Sequence, residues 1–590
     1  MPREIPFLPH ANALTQHCDG PRQTSSHFLS SAFTNTGDTV GSRSELTSIS
    51  SLRHQVNMGL VEALLEHASI KSVSVFLILA YVLWVVLARI NEYRSIKRLG
   101  NHGPAVPSYM PWGLDFMAKG IRATMAQKNL ELWRDDFFKG TEGWTREARI
   151  VGQRIIFTAD AENVKAMLAT QFSDFGKGKP FHEEWKEFLG DSIFTTDGSQ
   201  WHNSRQLIRP QFTRDRVSDL ECFESHMETL FKAMANGGPL NGENQVVNMS
   251  QSNGRVLDIS DLFYRYTLDV ATDFLLGTDV KSMSTPKQEF AEAFNEVQRI
   301  QNIITRTNKL RLLVPKWTYR ACLRVINAFI HKFIERTLRL DLSETDKTKS
   351  DKSYTFLHEL ARFTRDPKVI RDQVIAVLLA GRDTTAGTLS WAIYELSRHP
   401  EAVAKLRNEI LDTVGPDKPP TYEHLKNMSY LKAILNEILR LYPAVPFNVR
   451  LALKDTTLPR GGGPDGSEPL PVLKDTPIGY STLVMQRRPD LYPPVSDTFA
   501  DPGVFSPERW AHWHPKPHEY IPFNAGPRIC IGQQFALTEM SYVLVRMFQR
   551  FSRVESHMQA IDGGSPMLKT DIVLSPGQGV HVAFFQAEKA

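Results

Sequence analysis

The sequence predicts a mainly α-helical protein in which one large domain follows an N-terminal membrane anchor. Two observations support this class. The most apolar run of the 590-residue chain, Val73–Ala88, lies close to its N-terminus. Beyond residue 115 the chain contains long helix-compatible stretches, Asp366–His399 and Gln533–Arg550 among them, and no second linker divides them. We therefore treat residues 115–590 as one domain.

The composition excludes several classes of protein. Hydrophobic residues make up 42% of the chain and charged residues 23%, which are ordinary globular values that allow a sizeable core. A net charge of +4 is too small to indicate nucleic-acid binding. The four cysteines lack the spacing of a disulfide framework, so we expect the bulk of the chain in a reducing compartment.

Residues 1–57 are predicted to be a disordered N-terminal extension. Between Thr24 and Ser51 about half of the residues are Ser or Thr, and large apolar residues are sparse. Such a segment buries too little surface to offset the entropy cost of ordering it. Alternatively, translation starts at Met58 and the preceding stretch is an artefact of gene prediction. Both interpretations remain open.

Residues 72–90 are predicted to be a transmembrane anchor. The apolar run is shorter than the ~20 residues that span a bilayer comfortably, but Lys71 and Arg89 at its ends can extend towards the lipid headgroups. A buried core helix is the alternative. Four basic residues lie between positions 89 and 98 and only Lys71 closely precedes the run, so the positive-inside rule places the C-terminal bulk in the cytosol. We expect a single-pass protein of the endoplasmic reticulum membrane.

Residues 91–114 are predicted to form a basic, proline-rich hinge, because the prolines of 103–113 restrict φ and stop helices. Within the following domain, Leu342–Ser353 is polar and is predicted to be a surface loop.

The stretch Asp366–His399 is predicted to be one long helix with a weak point in its middle. Asp366 suits the N-cap and Pro367 the first helical position. Gly381 disfavours helix by about 1 kcal/mol relative to alanine. The Thr384 hydroxyl can bind the carbonyl of Ala380 four residues earlier. A weak point in so long a helix indicates a functional site.

Two further features precede the C-terminal loop. Glu437 and Arg440 lie three residues apart among apolar residues, which predicts a buried ion pair on one helix face. The glycine-rich run 461–466 lacks a following helix and a Gly-Lys-Ser/Thr sequence, so it is predicted to be a hairpin tip and not a phosphate-binding loop.

The stretch 523–532, Phe-Asn-Ala-Gly-Pro-Arg-Ile-Cys-Ile-Gly, delivers Cys530 to the start of the helix predicted over Gln533–Arg550. Gly526 and Gly532 are predicted to adopt positive φ or to allow close backbone approach. The helix N-terminus and a neighbouring arginine are expected to favour the thiolate of Cys530. An ordinary buried cysteine is the alternative.

This Phe-x-x-Gly-x-Arg-x-Cys-x-Gly pattern resembles the haem-binding loop of the cytochrome P-450 monooxygenases. The resemblance implies a mainly α fold with small β-sheets, a haem cofactor with Cys530 as its axial ligand, and contacts from Phe523 and Arg528, the latter to a haem propionate. Trp201 and Arg205 resemble the family's Trp-x-x-x-Arg motif, and Arg450 a further propionate-binding arginine.

The middle of the long helix resembles the family's Ala/Gly-Gly-x-Asp/Glu-Thr-Thr segment. That resemblance implies a proton-delivery role for Asp383 and Thr384 and none for Arg382. The Glu-x-x-Arg motif of the family implies a structural triad of Glu437, Arg440 and Arg509.

No nicotinamide or flavin fingerprint is present in the sequence, so electrons are expected from an NADPH-dependent cytochrome reductase. The implied reaction inserts one atom of O2 into a C–H bond of a hydrophobic substrate. Local runs at 191–198, 380–386, 441–446 and 455–463 resemble the fungal branch that hydroxylates n-alkanes and fatty acids, so terminal or near-terminal hydroxylation is the leading hypothesis.

Two alternatives to this hypothesis remain. One is a tailoring oxidation of a fungal polyketide or terpenoid, and the other is a membrane-anchored haem sensor. The pocket is predicted to be apolar. Its candidate lining residues are Ala376, Val377, Ala380, Val445, Phe447, Ile572 and Val573.

Overall fold

The long helix-compatible stretches of the sequence are helical in the structure. A computed structural model describes residues 69–138, 143–213, 220–307, 311–312, 314–340, 355–497 and 499–586. The predicted extension over residues 1–57 and the predicted loop Leu342–Ser353 lie outside the described residues.

The helices are numbered along the chain. They are α1 (Ile70–Leu99), α2 (Leu114–Met125), α3 (Asn129–Glu131), α4 (Ala161–Lys165), α5 (Gly178–Leu189), α6 (Gly198–Ile208), α7 (Glu221–Asn236), α8 (Ile259–Leu276), α9 (Glu289–Thr307), α10 (Trp317–Leu338), α11 (Phe356–Phe363), α12 (Pro367–Leu396), α13 (Pro400–Thr413), α14 (Tyr422–Asn427), α15 (Ser429–Leu441), α16 (Thr482–Met485), α17 (Arg509–His512), α18 (Gln533–Arg550) and α19 (Gln559–Asp562).

The strands form small sheets beside these helices. They are β1 (Thr145–Ile150), β2 (Gln153–Thr158), β3 (Phe175–Gly176), β4 (Val256–Asp258), β5 (Phe447–Ala452), β6 (Thr456–Gly462), β7 (Glu468–Val472), β8 (Pro477–Ser481), β9 (Phe551–Ser556), β10 (Leu568–Thr570), β11 (Leu574–Pro576) and β12 (His581–Gln586). The mainly α fold with small sheets is thereby confirmed.

The largest sheet has five strands in the order β1-β2-β8-β5-β3, in which β2 and β8 run parallel. A three-stranded sheet has the order β4-β12-β9, and β10-β11 and β6-β7 are separate hairpins. The chain reverses between Gly462 and Glu468, which confirms the predicted hairpin in the glycine-rich run. The Gly461 amide donates to the Gly466 carbonyl across this turn at 2.8 Å.

The chain divides into two units, one ending at Ala88 and the other beginning at Arg89. The first unit contains the N-terminal part of α1, which includes the apolar run. Most of the large apolar side chains of that run are exposed. Residues Lys71–Leu99 form the one helix, within the described part of the chain, that is long and apolar enough to cross a membrane. This helix is compatible with membrane anchoring.

The segment predicted as a hinge, residues 91–114, has two parts. Its first part is helical, because α1 continues to Leu99. Its second part is extended and bonded to strand β1: the Gly103 amide donates to the Glu147 carboxylate at 2.8 Å, and the Val106 amide donates to the Glu147 carbonyl at 2.7 Å. The segment is therefore part of the larger unit.

Helix α12 crosses the interior of the larger unit. Its 30 residues extend for about 45 Å at ~1.5 Å per residue. Asp366 caps its N-terminus, with the side chain accepting from the Lys368 amide at 2.8 Å, as the sequence predicted. Most of the helix is buried against α8, α10, α15 and α18. The centre of α12 is thus shielded by packed helices, which suits a site that excludes water.

Candidate functional site

The loop before α18 has a backbone that fixes the position of Cys530. Gly526 adopts a φ of +66°, and a Cβ atom added there would overlap the Leu168 carbonyl, so glycine is required. Asn524 also has a left-handed φ of +65°. The Cys530 amide donates to the Phe523 carbonyl at 2.9 Å, which closes the loop.

The prediction for Gly532 is wrong. Its φ is −89°, and a Cβ added there would meet only the Phe212 ring at 3.5 Å, an ordinary contact. The second left-handed residue of the loop is Asn524 and not Gly532. Asparagine tolerates this conformation better than most residues do.

The Cys530 side chain is exposed, yet enough protein lies around it that burial raises the pKa of its thiol above the ordinary value. The Gly532 amide and the positive charge of Arg205 act in the opposite direction but do not outweigh burial. The helix N-terminus and an arginine therefore favour the thiolate as expected, but the expected net preference for the thiolate is wrong because burial outweighs them. A bound metal ion would deprotonate a coordinating thiol.

Aromatic and cationic side chains from α6 lie beside this loop. The guanidinium carbon of Arg528 lies 4.8 Å from the centre of the Trp201 ring, which is buried. The Arg205 guanidinium donates to the Ile529 carbonyl at 3.0 Å, directly before Cys530 in sequence. The structure thus brings together the predicted residues of 201–205 and 528–530.

Asp197 joins this group to a second set of cations. Its carboxylate accepts from Arg528 at 2.6 Å and from the Lys177 and Gly178 amides at 2.9 and 2.7 Å. The ammonium of Lys177 donates to the Asn448 side chain at 2.9 Å. Arg450, which is buried, donates to the same oxygen atom of Asn448 at 3.3 Å.

The electrostatics of this cation cluster, defined as Lys177, Arg205, Arg450 and Arg528, show an excess of positive charge. Burial, with Arg450 and Arg205 as neighbours, lowers the pKa of Arg528 to about 10 despite Asp197. Burial and the positive charges of Arg450 and Arg528 hold the pKa of Lys177 well below its ordinary value. The Asp197 carboxylate pairs with Arg528 at 2.6 Å, and Arg528 Nε is buried without a hydrogen-bond acceptor among the described residues.

A second group lies at the centre of α12. The Thr384 hydroxyl donates to the Ala380 carbonyl at 2.6 Å, which confirms the predicted side-chain-to-backbone bond. Asp383 is buried, and burial raises the pKa of its carboxyl group although Arg382 opposes the shift. Its Oδ1 atom lies 3.3 Å from Arg382 and lacks a partner with hydrogen-bond geometry among the described residues. An acid of this kind is suited to exchange a proton.

The predicted ion-pair triad is fully buried. Arg440 donates to both oxygens of Glu437 at 2.7 Å, and Arg509 donates to one of them at 2.9 Å. All three side chains are 0% exposed. The arginines also donate to backbone carbonyls at positions 500–504, so the triad ties α15 to the segment that leads towards the Cys530 loop.

A comparison of the sequence with models of known protein families identifies the family of the chain. The family model of cytochrome P-450 matches residues 139–578, most of the larger unit. The chain belongs to the cytochrome P-450 family.

Relatives and a solved structure support the assignment. The chain is 60% identical over 516 residues to cytochrome P-450 monooxygenase pvhE of Talaromyces variabilis, covering 87% of this chain and 95% of the relative. It is 41% identical over 426 residues to cytochrome P-450 52A13 of Debaryomyces hansenii, covering 69% and 78%. The crystal structure of the cytochrome P-450DA haem domain matches the fold with a TM-score of 0.64 at 20% identity, covering 83% of this chain and 98% of that one.

This protein is therefore a cytochrome P-450 monooxygenase, and the family's cofactor is a haem with a thiolate ligand. The residues present fit that cofactor. Cys530 offers an accessible sulfur on a rigid loop. The cation cluster, with the unpaired Nε of Arg528, suits the two carboxylates of a haem. The predictions of family, fold, enzyme class and cofactor are confirmed.

The candidate pocket residues come from α12 itself and from two segments that meet beside it. The Leu574 amide donates to the Ala444 carbonyl at 2.9 Å, which joins the β10–β11 turn to the start of β5. Gly387 lets this turn approach α12, since a Cβ there would lie 2.9 Å from the Leu574 carbonyl. Val377, Ala380, Val445, Phe447 and Ile572 retain accessible surface. Val573 is almost fully buried, and Ala376 is fully buried with no surface to offer a substrate.

Sequence reasoning missed several charged residues of this cytochrome P-450. Lys177 belongs to the cation cluster, and Asp197 is the carboxylate that pairs with Arg528. The position of Asp197 directly before the Trp201 helix was the available signal for the carboxylate. Arg382 is buried beside Asp383 and donates to Asn295 of α9 at 2.6 Å. The available signal was a second charged residue directly beside Asp383 in the middle of this long helix.

Proposed function

We propose that Cys530 is the axial ligand of the haem iron and that Arg205, Arg450 and Arg528 bind its propionates. Three observations support this assignment. The Cys530 loop is held by the Gly526 and Asn524 backbone. The Arg205 guanidinium bonds the carbonyl adjacent to Cys530. The cation cluster has the positive charge that two carboxylates would neutralise.

When bound, a haem with a thiolate ligand supplies the chemistry that activates O2 and cleaves its O–O bond. The proposed task of Asp383 and Thr384 is to hold and move protons. Burial raises the pKa of Asp383 above its ordinary value, so its carboxyl group is protonated more readily, and Thr384, one residue away, carries a hydroxyl that relays the proton. Buried packing around α12 excludes bulk water, which limits unproductive proton entry.

We propose that the substrate is a long-chain n-alkane or fatty acid, hydroxylated at or near its terminal carbon. The observation that carries this proposal is the resemblance of runs 191–198, 380–386, 441–446 and 455–463 to the fungal alkane- and fatty-acid-hydroxylating branch, together with the similarity to cytochrome P-450 52A13. The side chains of Val377, Ala380, Val445 and Ile572 are apolar, as an aliphatic chain requires.

The proposed setting is the endoplasmic reticulum membrane, with α1 as a single-pass anchor and the larger unit in the cytosol. The exposed apolar run of α1 and the basic residues that follow it support this arrangement. The proposed electron donor is an NADPH-dependent cytochrome reductase on the same membrane.

The experiment that tests the substrate is product analysis by mass spectrometry. Microsomes containing this chain and a reductase receive NADPH with a panel of n-alkanes and fatty acids, and microsomes with the Cys530→Ser variant serve as the control. A terminal alcohol or diacid formed only by the unaltered chain is expected. An intact carbon-monoxide spectrum without any such product contradicts the aliphatic proposal.

A second candidate is a tailoring oxidation of a fungal polyketide or terpenoid. The chain is more similar to pvhE of Talaromyces variabilis, at 60% identity, than to the 52A13 relative, at 41% identity, so its substrate need not be that of the alkane-hydroxylating branch. The same microsomes, offered polyketide and terpenoid scaffolds, distinguish the two candidates by which panel yields an oxygenated product.

A further inference from the structure

We propose that this cytochrome P-450 contains a second metal site, formed by Cys222, His226 and Asp273, that takes Zn2+ or a similar transition-metal ion. The three residues lie outside the candidate haem site, and none of the assignments above uses them. Their ligand atoms all lie within 4.8 Å of one another.

The local sequence places these residues on facing helices. Cys222 and His226 are four residues apart on α7, so their side chains share one face of that helix. Asp273 lies on α8, which packs against α7. His226 is buried, whereas Cys222 and Asp273 are half-buried, so the site is sheltered but can be reached from solvent.

The two distances from the Asp273 carboxylate to the other ligand atoms are close to those of a tetrahedral zinc site. With Zn–N and Zn–O bonds of about 2.0 Å and a Zn–S bond of about 2.3 Å, tetrahedral angles separate N from O by roughly 3.3 Å and S from O by roughly 3.5 Å. The observed His226 Nε2–Asp273 Oδ2 distance is 3.2 Å. The observed Cys222 Sγ–Asp273 Oδ2 distance is 3.8 Å.

The donor set also suits the ion chemically. A thiolate, a neutral imidazole and a carboxylate carry two negative charges, which balance a divalent cation. A carboxylate oxygen of Asp279 lies 3.8 Å from His226 Nδ1, the ring nitrogen that faces away from the proposed ion. Three protein ligands leave the fourth position to water.

A bound ion would link α7 to α8. In the same region α7 also contacts α18, the helix that follows the Cys530 loop. The ring of Phe223, the neighbour of Cys222, packs 5.3 Å from the ring of Phe535 on α18. Glu224, two residues from Cys222, pairs with Arg546 of α18 at 2.9 Å. Zinc binding is therefore expected to stabilise the haem-loaded protein against heat.

The test uses the full-length, haem-loaded chain in detergent. After dialysis against buffer with equimolar ZnCl2 and then zinc-free buffer, elemental analysis counts zinc separately from haem iron. We expect one zinc per chain, and X-ray absorption at the zinc edge should show one sulfur at about 2.3 Å and nitrogen or oxygen at about 2.0 Å. No retained zinc, or zinc without a sulfur neighbour, overturns the proposal.

Cys222→Ser and His226→Gln should each weaken zinc binding at least tenfold, with the carbon-monoxide spectrum reporting that the fold is intact. Cys322→Ser is the matched control, because Cys322 is a half-buried cysteine outside the cluster. This variant should bind zinc as the unaltered chain does.

If a variant fails to fold, alkylation of the cysteines in the unaltered chain tests the proposal instead. Zinc should slow the alkylation of Cys222 and leave that of Cys322 unchanged, and equal rates at Cys222 with and without zinc overturn the proposal.

Discussion

The hydroxyl of Thr384 donates a 2.6 Å hydrogen bond to the carbonyl of Ala380. One turn later, the Thr388 hydroxyl donates to the Thr384 carbonyl at 2.8 Å. Each hydroxyl has one proton to donate, so Thr384 must leave the Ala380 carbonyl before it donates elsewhere. The proposed proton relay therefore requires the Thr384 hydroxyl to rotate its proton away from the Ala380 carbonyl.

Replacing Thr384 with alanine is expected to separate electron consumption from product formation. The variant should retain haem and consume NADPH, but release most of the reduced oxygen as peroxide, because the hydroxyl that moves the proton is gone. The measurement is the ratio of peroxide to hydroxylated product per NADPH, which we expect to rise at least tenfold.

Two control variants identify the cause. Thr384→Ser keeps the hydroxyl and should remain coupled. Thr388→Ala removes an equivalent side-chain-to-backbone bond without removing the proposed relay, so it should also remain coupled. Fully coupled turnover by Thr384→Ala would contradict the relay.

Replacing Cys530 with serine should abolish the thiolate-type carbon-monoxide spectrum, because a serine hydroxyl cannot supply a sulfur ligand to iron. Difference spectroscopy of the reduced, carbon-monoxide-treated protein is the measurement. Cys322→Ser, a change at a half-buried cysteine of α10, should leave the spectrum intact. An unchanged spectrum in the Cys530 variant would show that another residue ligates the iron.

Replacing Glu437 with alanine should destabilise the larger unit by about 3–5 kcal/mol, since it leaves the guanidinium groups of Arg440 and Arg509 buried without their carboxylate. The measurement is the urea midpoint for loss of the carbon-monoxide spectrum. Glu508→Gln is the control, because Glu508 pairs with Lys405 on the surface, where an ion pair contributes less than about 1 kcal/mol. Equal midpoints for the two variants would contradict the role of the triad.

The features that the sequence predicted correctly depend on local chemistry. The N-cap at Asp366, the helix over Gln533–Arg550 and the bond from Thr384 to Ala380 each involve residues within four positions of one another. The triad of Glu437, Arg440 and Arg509 spans a longer separation and came from the resemblance to the family.

The features that the sequence did not predict depend on tertiary contacts. Lys177 and Arg450 lie 273 positions apart in the chain, and only the folded structure places both beside Asn448. The pKa of Cys530 was expected to be low because local dipoles favour a thiolate, whereas burial by the surrounding protein raises it. Arg382 was assigned no role because its position in the motif is variable, and its burial beside Asp383 follows from the packing of α9 on α12.

A buried carboxyl group on α18 predicts a specific dependence of stability on pH. Burial raises the pKa of Glu539 from its ordinary value of 4.5 to about 8, although Thr385 opposes the shift. The folded protein therefore holds this proton at pH values where the unfolded chain has released it. Stability from this group is complete below pH 4.5 and falls as the pH rises to 8.

Glu539→Gln removes the titration while keeping the shape of the side chain. The stability of the variant relative to the unaltered protein should therefore increase between pH 5 and pH 8, by more than about 1 kcal/mol, since one unit of pKa shift corresponds to ~1.4 kcal/mol. The measurement is the urea midpoint for loss of the carbon-monoxide spectrum at each pH. Glu508→Gln is the control, because Lys405 and Tyr430 lower the pKa of Glu508 and its removal should produce no such increase. Parallel pH profiles for the Glu539 variant and the unaltered protein would show that Glu539 is ionised when folded.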